Sequence, residues 1–339
     1  MNPSPRNEEK VRMFKNPLPG VPLVESPFFQ SIFTPEAFTE FEIAVAKDLA
    51  EKGYAVIDFP DSDLALRADA IRQALQDRYA WAQWKADSAD MRVQDAWKFD
   101  DNVRAISTNQ AIIDLLTRLY GRKAWPFQSL NFPVGTQQHF HTDAVHFSSV
   151  PERFMCGVWV AFEDVGPDQG PLQYFPGSHR WPFYGNEHIG FTPTAEDNDQ
   201  KTYEPLWREL VAHSNIPQEQ FLAKKGQALI WTANLLHGGM PHLDKTKTRW
   251  SQVTHYFFDD CLYYTPMHSD PMTGMFKART PMDIVGCHAR VCGGMEKPKE
   301  NEDAVASKQI SSRQNTTESK IINAVTERSF LQRFIGKYF

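Results

Sequence analysis

The chain has little cysteine: Cys156, Cys261, Cys287 and Cys292 are its only four in 339 residues. That is too few for a disulfide framework at this length, and it fits a reducing compartment. Long apolar runs are missing as well, with nothing approaching the roughly eighteen consecutive residues of a membrane-spanning helix. The opening stretch from Met1 to Lys10 is polar and carries no apolar signal segment, so the expected location is cytoplasmic, without an integral membrane segment. Basic blocks are also absent. A formal charge of -6 without a basic cluster argues against nucleic acid as a partner and leaves a small-molecule substrate as the expectation. Nothing in the composition specifies an oligomeric state.

What is present is apolar and aromatic, 41% and 13% of the residues, enough for one large core. Residues 1–26 are rich in proline and charge and read as an extended arm. A helix is expected from Thr34 as N-cap, through Pro35, to a stop at Gly53. A strand from Tyr54 to Phe59, a helix from Leu64 to Leu75 and a helix from Asn109 to Tyr120 follow. The texture then turns to short β-branched and aromatic runs: Phe127 to Phe132, Gln137 to Asp143, Phe154 to Phe162, Leu172 to Phe175, Gln227 to Trp231 and Arg249 to Phe258. Such spacing predicts a mainly β domain over 27–295, a sandwich or jelly roll with packed helices. Residues 296–320 are almost wholly polar and read as a linker. Residues 321–339 regain helical spacing. Mixed charges there favour a helix docked on the domain over one lying on a membrane.

On a strand, His139, His141 and Asp143 in Gln138-His139-Phe140-His141-Thr142-Asp143 would share a face. Two ligands from that strand and a third from a distant one make the 2-His-1-carboxylate set of non-haem Fe(II) oxygenases. That set leaves three adjacent positions open for a 2-oxo acid and O2. The distant ligand is expected at His237, in the glycine-flanked Leu236-His237-Gly238-Gly239. Arg249, twelve residues later, needs an anion if buried, and its planar fork suits the far carboxylate of 2-oxoglutarate. Ser251 lies one side chain along on the same strand face. His139 reads as a structural or supporting group, and His146 and His179 as weaker candidates. Cys287-His288 with Cys292 lacks the second ligand pair that a zinc site requires.

The order of His141-Thr142-Asp143, Trp159, Gly170-Pro171-Leu172-Gln173-Tyr174-Phe175-Pro176-Gly177-Ser178-His179, His237 and Arg249 resembles the phytanoyl-CoA dioxygenase family over about residues 35–260. The resemblance implies a double-stranded β-helix (jelly-roll, cupin-like) core, with iron on His141, Asp143 and His237, and Arg249 anchoring 2-oxoglutarate. It places Trp159 beside the cosubstrate. Gly239 stands where family members often carry a serine, and Gln128 or Asn131 where they carry a lysine near the cosubstrate. Halogenating relatives have Gly or Ala at the place of Asp143, so the carboxylate implies hydroxylation, with release of succinate and CO2, although ring closure or desaturation would use the same ligands. A cupin-like metal-dependent isomerase or epimerase, and a non-catalytic small-molecule binder, share the framework. Arg249 speaks against the first and the intact triad against the second. The stretch from Trp181 to Phe221 is expected to border the mouth, where Lys201, Arg208 and His188 are cationic candidates read mainly as solvated.

Overall fold

A computed structural model describes residues 15–87, 91–193 and 199–291. The polar stretch 296–320, the amphipathic stretch 321–339, Cys292 and the first part of the N-terminal arm lie outside the described residues. Within them the strands are β1 (Tyr54–Asp58), β2 (Val93–Gln94), β3 (Ala124–Phe132), β4 (Ser148–Val150), β5 (Met155–Ala161), β6 (Leu172–Tyr174), β7 (Glu219–Phe221), β8 (Gln227–Thr232), β9 (His237–Gly239), β10 (Ser251–Phe258), β11 (Leu262–Tyr264), β12 (Met282–Asp283) and β13 (His288–Ala289). A six-stranded antiparallel sheet runs β1-β8-β5-β10-β3-β2, and a three-stranded sheet runs β7-β6-β9. Mostly sheet with several helices, this is the jelly-roll arrangement expected of the sequence. No described helix is long and apolar enough to cross a membrane.

Every residue of β5 and of β10 is buried, because both faces of the large sheet are covered. On the outer face, Gln252 donates to the Val103 carbonyl at 3.0 Å and the Tyr256 hydroxyl to the Ser107 carbonyl at 3.0 Å, tying β10 to the helix Asp101–Ser107. Alternation then turns Ser251, Val253 and His255 to the inner face. The inner face is the one that matters for function.

The helix Leu64–Leu75 matches its predicted limits, and Gly53 and Gly121 end their helices in the left-handed conformation, at φ +86° and +77°. One start differs. The first long helix begins at Glu40, not Pro35, because Thr39 and Glu42 form a reciprocal capping box, with Thr39 N–H donating at 2.8 Å and Glu42 N–H at 3.2 Å. Thr34 accepts only turn bonds, from Ala37 and Phe38. Of the N-terminal arm, residues 15–26 run along the domain, where Val24 is buried and Glu25 is bonded to Arg153 at 2.6 Å.

The expected strand from Gln137 to Asp143 is not formed. Gln137 has φ +54°, His141 contacts β9 through a single antiparallel bridge to His237, and Asp143 opens the 3-10 turn Asp143–Val145. The segment is pressed too tightly against β9 for a regular ladder. A Cβ on Gly238 would lie 2.8 Å from the Gln138 carbonyl and the Phe140 Cα, and one on Gly239 would lie 2.6 Å from Thr136 Oγ1. The serine of the family pattern has no room at 239, which accounts for that departure.

Candidate metal centre and its cavity

His141 arrives on the bridge to β9, His237 begins β9, and Asp143 enters from the 3-10 turn. Their ligand atoms all lie within 4.8 Å of one another and are buried; among the described residues they are the one group of His, Cys, Asp and Glu side chains so placed. His141 Nδ1–H donates to the His139 carbonyl at 2.9 Å, and His237 Nδ1–H to the Leu235 carbonyl at 3.0 Å. A carbonyl only accepts, so each ring carries its proton on Nδ1 and presents the Nε2 lone pair to the centre. Those Nε2 atoms lie 3.7 and 3.9 Å from the Asp143 carboxylate oxygens. Burial, and then the neighbouring His237, push His141 down to about 3, which keeps it neutral. For Asp143 burial acts the other way, but His237, His255, His141 and the Trp231 N–H outweigh it and hold the carboxyl at about 2.

Three residues that the sequence did not single out complete this arrangement. Trp231 Nε1–H donates to Asp143 Oδ2 at 2.7 Å, so one carboxylate oxygen is engaged and the other is left for a metal. The indole lies where Gly157 leaves space: a Cβ there would sit 2.2 Å from the Trp231 ring. A glycine inside a buried strand is a signal of such close approach. His255 Nε2 stands 3.6 Å from Asp143 Oδ2, and its Nδ1 is 2.9 Å from Gln128 Oε1. Its period-2 relation to Arg249 could have revealed it.

Arg249 is buried at 1% exposure, with its backbone N–H donating to the Pro133 carbonyl at 2.8 Å. Its Nη2 donates to the Val134 carbonyl at 3.3 Å, whereas Nε and Nη1 have no partner in the protein. Burial lowers its pKa to about 10, still charged at neutral pH. Ser251 Oγ and Trp159 Nε1 are likewise buried without partners, and the guanidinium lies 5.5 Å from the centre of the Trp159 ring. Buried donors left unpaired in this way are costly unless a ligand takes them.

The same cavity, about 660 Å³, is lined by His141, Asp143, His237, Arg249, Trp159 and His255. Gln128 lines it too, but opposite His255, while Ser251 pairs with Phe132 four positions along β3, roughly 13 Å away. Gln128 is therefore not beside Arg249. Asn131 faces the helices: its Nδ2 donates to Gln252 at 3.2 Å on the outer face. His139 lines the cavity, but its Nε2 accepts from Arg208 at 3.2 Å and its ring is not among the converging ligands. His146 also lines the wall, whereas His179 packs on Gly53 and its Nε2–H donates to the Ala50 carbonyl at 3.2 Å. Lys201 reaches the cavity, and His188 instead pairs with Glu187 at 3.1 Å. Cys287 is exposed and free.

The sequence profile of the phytanoyl-CoA dioxygenase (PhyH) family matches residues 33–247, well over half of the chain. The chain belongs to the phytanoyl-CoA dioxygenase family. Comparison with curated proteins found no significant match. Among solved structures, this PhyH-family chain is similar to the epimerase SnoN from nogalamycin biosynthesis, in complex with Fe3+, alpha ketoglutarate and nogalamycin RO. The identity is 19%, with 73% of this chain and 97% of that chain covered and a TM-score of 0.50. It is similar to the carbocyclase SnoK of the same biosynthesis at 15% identity, covering 73% and 95%, also at 0.50. EctD from S. alaskensis with bound Fe matches at 18% identity over 70% and 81%, again at 0.50. At these identities the likeness is one of fold.

Proposed function

We propose that this PhyH-family protein is an Fe(II)- and 2-oxoglutarate-dependent dioxygenase that hydroxylates a C–H bond of a small molecule. One observation carries the reading: His141, Asp143 and His237 converge on a point in the same buried cavity as a charged Arg249 with two unpaired N–H groups. The donor set fits ferrous iron, with two imidazole nitrogens and one carboxylate. The anion pocket fits the far carboxylate of a dicarboxylic cosubstrate. Iron, 2-oxoglutarate and O2, when bound, supply the oxidation, in which R–H, 2-oxoglutarate and O2 become R–OH, succinate and CO2.

The chain's own residues bind, orient and exclude. Arg249 and Ser251 would hold the far carboxylate, with Trp159 along its side, leaving the 2-oxo acid end for the triad. Trp231 engages one oxygen of Asp143 and leaves the other as the atom the carboxylate would offer a metal. The Asp143 carboxylate occupies the place that a halide would need. Burial of the triad limits water at the reacting atoms.

SnoN is an epimerase and SnoK a carbocyclase, both alpha ketoglutarate dependent, so outcomes other than hydroxylation are compatible with such a site. Product mass decides between them. Anaerobic addition of Fe(II) and 2-oxoglutarate should give the visible charge-transfer absorption of a chelated 2-oxo acid, and admission of O2 should yield succinate. With substrate, the product gains one oxygen atom. Absence of both the absorption and succinate would remove the dioxygenase reading and leave a metal-dependent isomerase or a binding protein.

A further inference from the structure

The inner face of β10 measures the cavity. From Arg249 to His255 the chain runs six residues, roughly 20 Å in extended form, and His255 Nε2 is 3.6 Å from Asp143 Oδ2. The metal-ligating atoms therefore lie near the His255 end. A five-carbon cosubstrate anchored at Arg249 is accommodated on the near side of the metal, and the wall beyond belongs to the molecule being oxidised.

That wall is made of carboxamides and imidazoles. His255 is paired with Gln128 at 2.9 Å, His146 Nε2 with Gln200 Oε1 at 3.1 Å, and Gln138 Nε2 donates to the same Gln200 oxygen at 2.9 Å. Phe147 and Met267 are the apolar surface beside them. Charges at the rim are matched: Lys201 lies 3.4 Å from Asp199, and Glu204 accepts from Arg208 at 2.9 Å. Each carboxamide has both a donor and an acceptor, and each imidazole can exchange its tautomer, so the wall can meet hydroxyl, amide or carbonyl groups in either sense. An alkyl chain laid over it would strip water from these groups and return no hydrogen bond.

We propose that the substrate is a compact hydrophilic molecule rich in hydroxyl or amide groups, without net charge, seated beyond the metal against the pairs His255–Gln128 and His146–Gln200, and that long acyl chains are excluded. The proposal rests on the oxygenase reading of the same cavity, and the test separates the two. Calorimetry on the full chain first measures Ni(II) and 2-oxoglutarate binding, whose failure counts against the oxygenase reading alone. Octanoyl-coenzyme A is then titrated into the same protein whatever that first result.

Wild type is expected to bind octanoyl-coenzyme A no more tightly than about 1 mM. The double variant Gln128→Leu, Gln200→Leu should bind it at least tenfold more tightly, whereas Gln128→Glu, Gln200→Glu should gain nothing. In a parallel assay of the Fe(II)-loaded wild type, neutral polyols, glycosides and amide-bearing amino acids should include compounds that stimulate succinate formation. Micromolar binding of octanoyl-coenzyme A by wild type, no gain in the leucine variant, or stimulation by acyl thioesters alone would each overturn the proposal.

Discussion

At the Arg249 end of the cavity, buried polar atoms of Arg249, Ser251 and Trp159 have no partner in the protein, while at the His255 end the imidazoles of His255 and His146 are each bonded to a glutamine. The first arrangement suits one ligand of fixed shape and charge, because an unpaired buried donor is costly unless a partner arrives. The second is only partly paired within itself and can exchange its bonds for those of a guest. Between the two ends stands the triad, which both need.

The comparison breaks most severely at the triad. Asp143→Ala and His237→Ala are each expected to abolish 2-oxoglutarate turnover, read as no succinate above the enzyme-free rate, with loss of Fe(II) binding by calorimetry. Full succinate release with retained iron affinity in the His237 variant would take that residue out of the site.

Acid should next expose the buried imidazoles. Burial holds His255 at about 4, against an ordinary value of 6.5, so it is neutral in the fold. The unfolded chain takes up a proton below about pH 6.5 and thus binds more protons than the native state. Stability of the metal-free protein is therefore fully present above that pH and falls as pH drops towards 4. For His255 the difference corresponds to about 3 kcal/mol. Urea midpoints at about pH 7 and pH 4 should show a smaller acid loss in His255→Gln, and an equal loss would contradict the neutral assignment.

Arg249→Ala separates the two ends. It should raise the KM for 2-oxoglutarate roughly 100-fold, at about 2–3 kcal/mol for a lost charge-assisted contact, with little change in Fe(II) affinity. An effect on metal binding of the same size would merge the two regions. Trp231→Phe keeps the bulk beside Gly157 and removes only the N–H to Asp143, so metal affinity should fall by roughly 10- to 100-fold. A Co(II) absorption spectrum shows whether the geometry at the metal has changed, and an unchanged affinity and spectrum would deny Trp231 its positioning role.

His141, Asp143, His237 and Arg249 were legible in the sequence because residue type, order and spacing together are restrictive, and the helix Leu64–Leu75 because its apolar period is unbroken. The segment from Gln137 to Asp143 alternates like a strand without forming one, since local alternation does not report that Gly238 and Gly239 draw the segment into close packing. The convergence survives because Asp143 reaches the centre from the following turn. Trp231 and His255 were hidden for another reason: each acts through a contact distant in sequence, an indole on a carboxylate and an imidazole facing it. Asn131 and Gln128 could not be placed without knowing which face of β3 and which level of the cavity each occupies.

Crystals grown without oxygen in the presence of Fe(II) and 2-oxoglutarate, measured across the iron absorption edge, test the central claim directly. The account predicts one anomalous peak between His141 Nε2, the Asp143 carboxylate and His237 Nε2, with the cosubstrate extending from it to Arg249. A peak at other side chains, or iron held without those three, would contradict it.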